Sequence, residues 1–448
     1  MPSLKGIKST CFAINPSIEC LCNFIRPLQA QMYTKVDRMA PSKVELVRHE
    51  NRFQLTVNGE AFYIKGAGVD LGSVKSLADY GGNAFRTWRV NNGERSALEI
   101  LDEAQQFGLM VCMGLEVGRE RHGFDYHDQQ AVAQQQEEIR KDIEALKDHP
   151  ALLMWGIGNE LNLRHTNPKV WDAVNELSKM IHEIDPNHPT TTMLAGAEPE
   201  VIRLVVERCS DLDLLSFQLY GDIDKLPQYL ADSDYRGAYT VSEWGATGHW
   251  ESPCTEWGRP IEANSSDKAD AYKTRYLNYI AADTEQCVGS FVFLWGQKQE
   301  RTPTWYGVFL DNERHTEAAQ IMYGLWTGAQ SQYPVPSQPK LSLEGANSDQ
   351  NVRLTAGSVY CAEVSYQYDN NQPLSYRWEL MREVDKTAQS DGGDFEPTPD
   401  IVWHQSGPNT SHKVELTAPN AGEYRLFVYL DDAYNGSATA NMPVLVVS

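Results

Sequence analysis

The sequence predicts a (β/α)8 barrel over residues 43–330 followed by an all-β sandwich over residues 340–448, and three observations carry that expectation. Short apolar, β-branched runs alternate with helix-length amphipathic segments eight times within about 270 residues, close to the typical length of such a barrel. Two of those runs stop at a glutamate, Glu160 after Asn159 and Glu243 after Ser242, where a parallel barrel does its chemistry. Beyond the proline-containing stretch TGAQSQYPVPSQP the helical period ends and short alternating runs replace it.

Taken in order, residues 1–42 are the least readable. Lys5 and Lys8 precede a moderately apolar run from Cys11 to Ile25, which loosely resembles a secretory leader, but Asn15, Pro16 and Glu19 interrupt it. A disordered or mis-started N-terminus is the alternative. Secretion or a periplasmic location is the expectation, with a cytoplasmic one left open. Asn58-Gly59 then sits between two alternating runs, a hairpin signal. Strands are expected at Phe62–Ile64, Asn83–Trp88, Leu109–Leu115, Leu152–Trp155, Thr190–Ala195, Leu214–Tyr220, Tyr239–Trp244 and Ser290–Trp295. Helices are expected after each, the longest from about Gln129 to Lys147, and Gly156 and Gly158 are read as ending the fourth strand. An open doubly wound sheet competes with this layout, but it needs fewer strands and usually a Gly-rich phosphate loop, which is missing. After a linker at 331–339, the runs VYCAEVSYQ, LSYRWEL, HKVELT, EYRLFVYL and MPVLVVS read as sandwich strands. Trp378 is the expected inter-sheet core residue and Tyr424 the expected tyrosine corner.

Composition narrows the partners. A net charge of −22 argues against nucleic acid and anionic membrane, and no stretch is long and apolar enough to span a bilayer. The eight cysteines show no metal spacing, and no disulfide framework is expected. Neither a cofactor nor a metal is called for, and the oligomeric state is not legible.

Two carboxyl groups converging from different strand ends are the minimal equipment for breaking a glycosidic bond. One is protonated to help the leaving oxygen depart; the other is ionised, to attack or to activate water. A glutamate that merely caps the exposed end of a strand is the plainer explanation for either one alone.

The run of motifs carries a family resemblance. VNGEAFYIKGAG, GGNAFRTWR, HPALLMWGIGNE, DPNHPTTT and VSEWG together resemble the TIM-barrel catalytic domain of clan A glycoside hydrolases, most closely family 2, over residues 44–330. The C-terminal part resembles immunoglobulin-like or PKD-like modules. No family-2 N-terminal sandwich domains are present in this sequence. The resemblance implies that Glu160 is the general acid/base, Asn159 the partner of the sugar 2-hydroxyl, and Glu243 the nucleophile. It implies that Arg86 is the counter-charge to the nucleophile, that Tyr220 hydrogen-bonds it, and that Trp295 floors the cleavage subsite. The loop GRERHGFDYHD offers Arg119, His122, Asp125, Tyr126 and His127 for sugar hydroxyls, with a salt-bridged structural loop as the alternative. Trp244, Trp250, Trp257, Trp305 and Tyr306 are candidates to stack on pyranose rings, some of them plain core.

The implied activity is a retaining β-glycoside hydrolase, or a transferase of the same mechanism, acting on β-linked oligo- or polysaccharide. A β-glucan is favoured, with a β-mannan or β-galactoside as runner-up. A catalytically silent carbohydrate-binding protein is the rival; the presence of both carboxylates, the arginine and the asparagine weighs against it. The C-terminal part has no paired carboxylates at strand ends, so no chemistry is expected of it, and a chain ending near Gln330 is expected to keep its activity on small glycosides if folded.

Overall fold

A computed structural model describes residues 40–50, 52–331, 334–370, 372–385 and 394–448. The leader-like reading of Cys11–Ile25 lies outside the described residues.

Three short strands open the chain: β1 (Val44–His49), β2 (Arg52–Val57) and β3 (Glu60–Phe62), paired antiparallel in that order. The expected Asn58-Gly59 turn joins β2 to β3, with both residues at positive φ (52° and 83°) and Val57 opposite Glu60. That is the two-residue turn whose twist suits a hairpin. The hairpin buries Val44 and Leu55 against Ile64, Leu153, Met154, Leu214 and Val288, a cluster drawn from the strand beginnings that follow. It closes the bottom of the barrel.

The barrel strands are β4 (Ile64–Gly68), β5 (Ala84–Arg86), β6 (Met110–Leu115), β7 (Leu152–Asn159), β8 (Thr190–Ala195), β9 (Leu215–Gln218), β10 (Tyr239–Glu243) and β11 (Cys287–Val292). They pair parallel, each with its sequence neighbour, and β11 closes onto β4. Eight helices alternate with them: α1 (Val74–Asp79), α2 (Ala97–Gln106), α3 (Gln129–Leu146), α4 (Lys169–Ile184), α5 (Pro199–Arg208), α6 (Leu226–Ser233), α7 (Ser265–Arg275) and α8 (Glu317–Thr327). Their starts are legible chemistry: Ser73, Ser96, Asp128 and Asn264 cap α1, α2, α3 and α7 with side-chain acceptors, and Ser96 with Glu99 forms a full capping box.

The structure moves several boundaries; the last barrel strand, expected at Ser290–Trp295, is Cys287–Val292. The expected strand at Phe62–Ile64 is two elements, because the chain leaves the hairpin at Phe62 and enters the barrel at Ile64. The fourth barrel strand does not stop at Gly156 but runs to Asn159, with Gly158 at φ 76° inside it. Glycine alone tolerates that conformation without strain, so the residue permits the strand's irregular end rather than terminating it.

The C-terminal part is built of β12 (Ser337–Leu343), β13 (Arg353–Thr355), β14 (Val359–Gln367), β15 (Ser375–Arg382), β16 (Ile401–Ser406), β17 (Lys413–Thr417), β18 (Gly422–Asp431) and β19 (Ser437–Val447). They form a three-stranded sheet, β12-β14-β17, and a five-stranded one, β13-β19-β18-β15-β16. Leu341, Val364 and Leu416 of the first share a core with Trp378, Leu426 and Val444 of the second. Trp378 is fully buried there, its indole donating to the Ser411 carbonyl (3.0 Å), and the Tyr424 hydroxyl reaches back to the Asn420 carbonyl (2.9 Å). The stretch read as linker already contains the start of β12. Its alternation is masked by Pro339, an edge-strand residue whose missing donor costs nothing there.

These sheets are fastened to the barrel by buried polar contacts. Glu262, on the loop before α7, pairs with Lys268 and accepts from Thr302 (2.6 Å), Thr304 (2.8 Å) and Asn441 of β19 (2.6 Å). Arg425 of β18 reaches the Pro260 carbonyl (2.8 Å), and Arg259 pairs with Glu423. Barrel and sheets accordingly fall in one compact unit, Ala40–Ser448.

Candidate active site

Glu243 ends β10, where a bulge at Ser242 shifts the register so that Glu243 lies opposite Gln218 of β9. Bulges beside active sites re-aim side chains in this way. Four donors converge on the buried carboxylate. Oε1 accepts from Arg86 (3.0 Å), Trp88 (2.8 Å) and Gln218 (2.9 Å), and Oε2 accepts from the Tyr220 hydroxyl (2.9 Å). Arg86 is itself buried and cannot swing away: its second nitrogen donates to Asn159 Oδ1 (2.6 Å), which also accepts from Gln218 (2.7 Å). Charge-assisted bonds of this kind fix the orientation of a carboxylate. Burial and the carboxylate beside it push the Tyr220 hydroxyl well above its usual range, so it remains a donor.

Glu160 follows Asn159 at the end of β7, where the register with β8 also breaks between Gly156 and Asn159. Its backbone stands at φ 52°, an uncommon conformation for a non-glycine residue. Arg121 holds it there, donating to its carbonyl (2.9 Å) with the guanidinium 3.6 Å from Oε2. Glu160 Oε2 accepts no hydrogen bond from the described residues. Burial, then the charge of Glu243, raises its carboxyl to about 7, against the opposing pull of Arg121 and Arg119. Two carboxyls in one cleft thus have opposite surroundings: one saturated with donors, one starved of them.

Both glutamates line an open cleft of about 1260 Å³, larger than the roughly 300–1,000 Å³ that encloses a drug-sized molecule. Arg119, Asn159, Gln218, Tyr220 and Trp295 line it as well. Trp295 is present but packs edge-on with Tyr80 and Phe309, whereas Phe293 is the ring against Trp88 and Tyr220, the two aromatic donors to Glu243.

Eight expected sugar contacts do not line the cleft: His122, Asp125, Tyr126, His127, Trp244, Trp257, Trp305 and Tyr306. Trp244 is fully buried on the outer side of the barrel, stacked on Tyr276 at 5.8 Å, because it faces away from its neighbour Glu243. Tyr126 is core, its hydroxyl spent on the Gly118 carbonyl. Trp305 is buried behind the cleft wall and donates to the Thr247 carbonyl (2.9 Å). His122 is at the rim, 2.9 Å from Asp394.

Sequence reasoning missed Trp88, Gln218 and Arg121, together with His249 and Glu300 in the cleft wall, whereas Trp250, an expected stacking residue, does line it. The signal for the first two was present. Trp88 is two residues from Arg86 and Gln218 two from Tyr220, the spacing that puts strand residues on one face. The C-terminal part, of which no chemistry is expected, contributes Asp394 and Phe395 to its lining. Among the described residues no group of three His, Cys, Asp or Glu is placed to hold a metal, and no helix is long and apolar enough to cross a membrane.

Part of this barrel is similar to the TIM-barrel domain of family 2 glycosyl hydrolases. Residues 83–249, from the start of β5 to the loop after β10, match the family model "Glycosyl hydrolases family 2, TIM barrel domain". Among solved structures, a β-glucuronidase from Bacteroides uniformis aligns at TM-score 0.49 and 14% identity, covering 89% of this chain and 48% of that one. A β-mannanase from the blue mussel Mytilus edulis aligns at TM-score 0.42 and 14% identity, covering 66% of this chain and 99% of the other. This chain thus spans about half the length of the first. No curated protein matches the chain by sequence.

Proposed function

We propose that this chain is a retaining β-glycosidase in which Glu243 is the nucleophile and Glu160 the general acid/base. The observation that carries the reading is the contrast between the two carboxyls. Glu243 is fixed by four donors, while Glu160, with its carboxyl at about 7, is protonated in a large share of molecules near neutrality. A carboxyl raised by its surroundings suits the general acid of a hydrolytic site, and one oriented by a ring of donors suits the nucleophile.

In the first step Glu243 Oε attacks the anomeric carbon as Glu160 delivers its proton to the departing oxygen, giving a glycosyl ester on Glu243. In the second, Glu160, now ionised, takes a proton from water or a sugar hydroxyl as that oxygen displaces Glu243. Asn159 and Arg86 steady the nucleophile and the sugar beside it. Tyr220 shares the negative charge and releases Oε2 as the ester forms. A β-glucan is the favoured substrate, with a β-mannan or β-galactoside next. The module from 340 to 448 is an immunoglobulin-like sandwich, and residues 43–330 are the catalytic domain.

Chemical rescue separates the two roles. Glu243→Ala with azide should give the inverted glycosyl azide, and Glu160→Ala with azide and an activated aryl glycoside the retained one. The converse pattern would exchange the assignments.

A further inference from the structure

The cleft contains one large apolar side chain that neither the barrel nor its core accounts for. Phe395 is 88% exposed yet lies in the cleft lining, and it comes from the C-terminal sheets, not the barrel. Leaving a phenyl ring in water forgoes roughly 1.5–3 kcal/mol of burial, so its placement is informative only if the backbone is held there. It is. On one side Asp394 bridges His122 (2.9 Å) and Arg119 (3.5 Å). On the other, Glu396 is buried, accepting from the Arg301 amide (2.6 Å) and guanidinium (2.9 Å). Both neighbours are anchored by charge to loops on the barrel's active face, and the ring between them is left free.

Its position relative to the two carboxyls follows from the same contacts. Arg119, which meets Asp394, also donates to the Asn159 carbonyl (3.1 Å), immediately before Glu160. Through Asp394 and Arg119, Phe395 is linked to the Glu160 side. The other highly exposed aromatic in the cleft, Trp250 at 60%, packs on Tyr220 and belongs to the Glu243 side. Departing sugar lies toward the residue that protonates it.

We infer that Phe395 is a stacking platform for the leaving-group portion of a β-linked glycan, supplied to the barrel's cleft by the C-terminal sheets. The inference rests on the reaction proposed above, and it makes those sheets part of the substrate site. A pyranose ring presents an apolar face of C–H groups to an aromatic ring, and a Phe side chain on an anchored backbone has only two side-chain torsions to fix on binding.

The test compares substrates that do and do not reach past Glu160. β-Glycosyl fluorides of glucose, mannose and galactose have a leaving group too small to touch Phe395, whereas the corresponding β-1,3- and β-1,4-linked tetrasaccharides extend over it. In Phe395→Ala the ratio of kcat/KM for the tetrasaccharide to kcat/KM for its fluoride should fall about tenfold, and Phe395→Trp should recover it. A ratio within about twofold of wild type, in a wild-type enzyme that turns over both substrates, overturns the platform and leaves the proposed reaction standing. A wild-type protein that turns over none of these substrates overturns the reaction and the platform with it.

Discussion

At the scale of single residues, the site is an exercise in unequal surroundings. Glu160 is raised to about 7 first by burial and then by Glu243, so removing the second cause should leave a smaller elevation. NMR titration of Glu160 in Glu243→Gln should place its pKa below the wild-type value but above 4.5, the ordinary carboxyl value. A pKa unmoved by the substitution would show that the two carboxyls do not sense each other. The same elevation has a stability consequence. The folded state favours protonated Glu160, so that contribution is fully present below about 4.5 and is lost as the pH rises through about 7. Glu160→Gln keeps a neutral group at every pH. Its melting temperature should pull ahead of wild type as the pH climbs from 4.5 to 8, and a constant difference across that range would contradict the raised carboxyl of Glu160. Much of this constellation was legible. Arg86, Asn159, Tyr220 and both glutamates lie at strand ends in motifs whose residue types state their chemistry. Trp244 was not, because adjacency in sequence to Glu243 means the opposite face of the strand. Nor was Arg121, whose loop holds three basic side chains in four positions, only one of which reaches Glu160.

At the scale of elements, the strand ends decide what the site can be, and they are crowded at glycines. A Cβ on Gly114 of β6 would fall against the Thr87 carbonyl oxygen and 2.7 Å from the Trp88 carbonyl carbon, both backbone atoms of the segment that holds Arg86 and Trp88 against Glu243. A Cβ on Gly156 of β7 would meet the methyl (2.5 Å) and sulfur (3.0 Å) at the flexible end of Met193, with the nearest backbone atom, the Met113 carbonyl oxygen, at 3.6 Å. Gly114→Ala should therefore cost about 1–3 kcal/mol in urea unfolding and most of the activity, and Gly156→Ala distinctly less of each. Equal penalties would mean that backbone contact at β5 does not set the site's geometry. The alternation of strands and helices was readable from periodicity alone. The bulges before Glu160 and Glu243 were not, since a register shift arises between strands and leaves no local pattern.

For the whole molecule, the separation of barrel and sandwich is weaker than the proline-rich connection at 331–339 suggests. Glu262, Lys268 and Arg259 are buried, and their surroundings include Asn441, Arg425 and Glu423 from the C-terminal sheets. Thr302 and Thr304, held by Glu262, lead into Tyr306, which bonds the cleft residue His249 (2.8 Å). Breaking one buried ion pair typically costs about 3–5 kcal/mol, and a domain's entire stability is of order 5–15 kcal/mol. The interface therefore argues against an independent barrel. A chain ending at residue 330 should aggregate or lose activity even on small glycosides, and a soluble, active 40–330 fragment would contradict the coupling. Nothing local in the sequence announces this, because the partners are contributed by segments 259–268 and 383–441 that only the folded chain brings together.

The central claim is that Glu243 forms a covalent bond to the sugar. A 2-deoxy-2-fluoroglycosyl fluoride slows the second step more than the first, so the glycosyl-enzyme should accumulate, and peptide mass mapping should locate one added sugar on the peptide containing Glu243. Loss of activity in step with that label is the predicted result. A label on another residue, or an active enzyme that stays unlabelled and releases inverted sugar, would contradict the account.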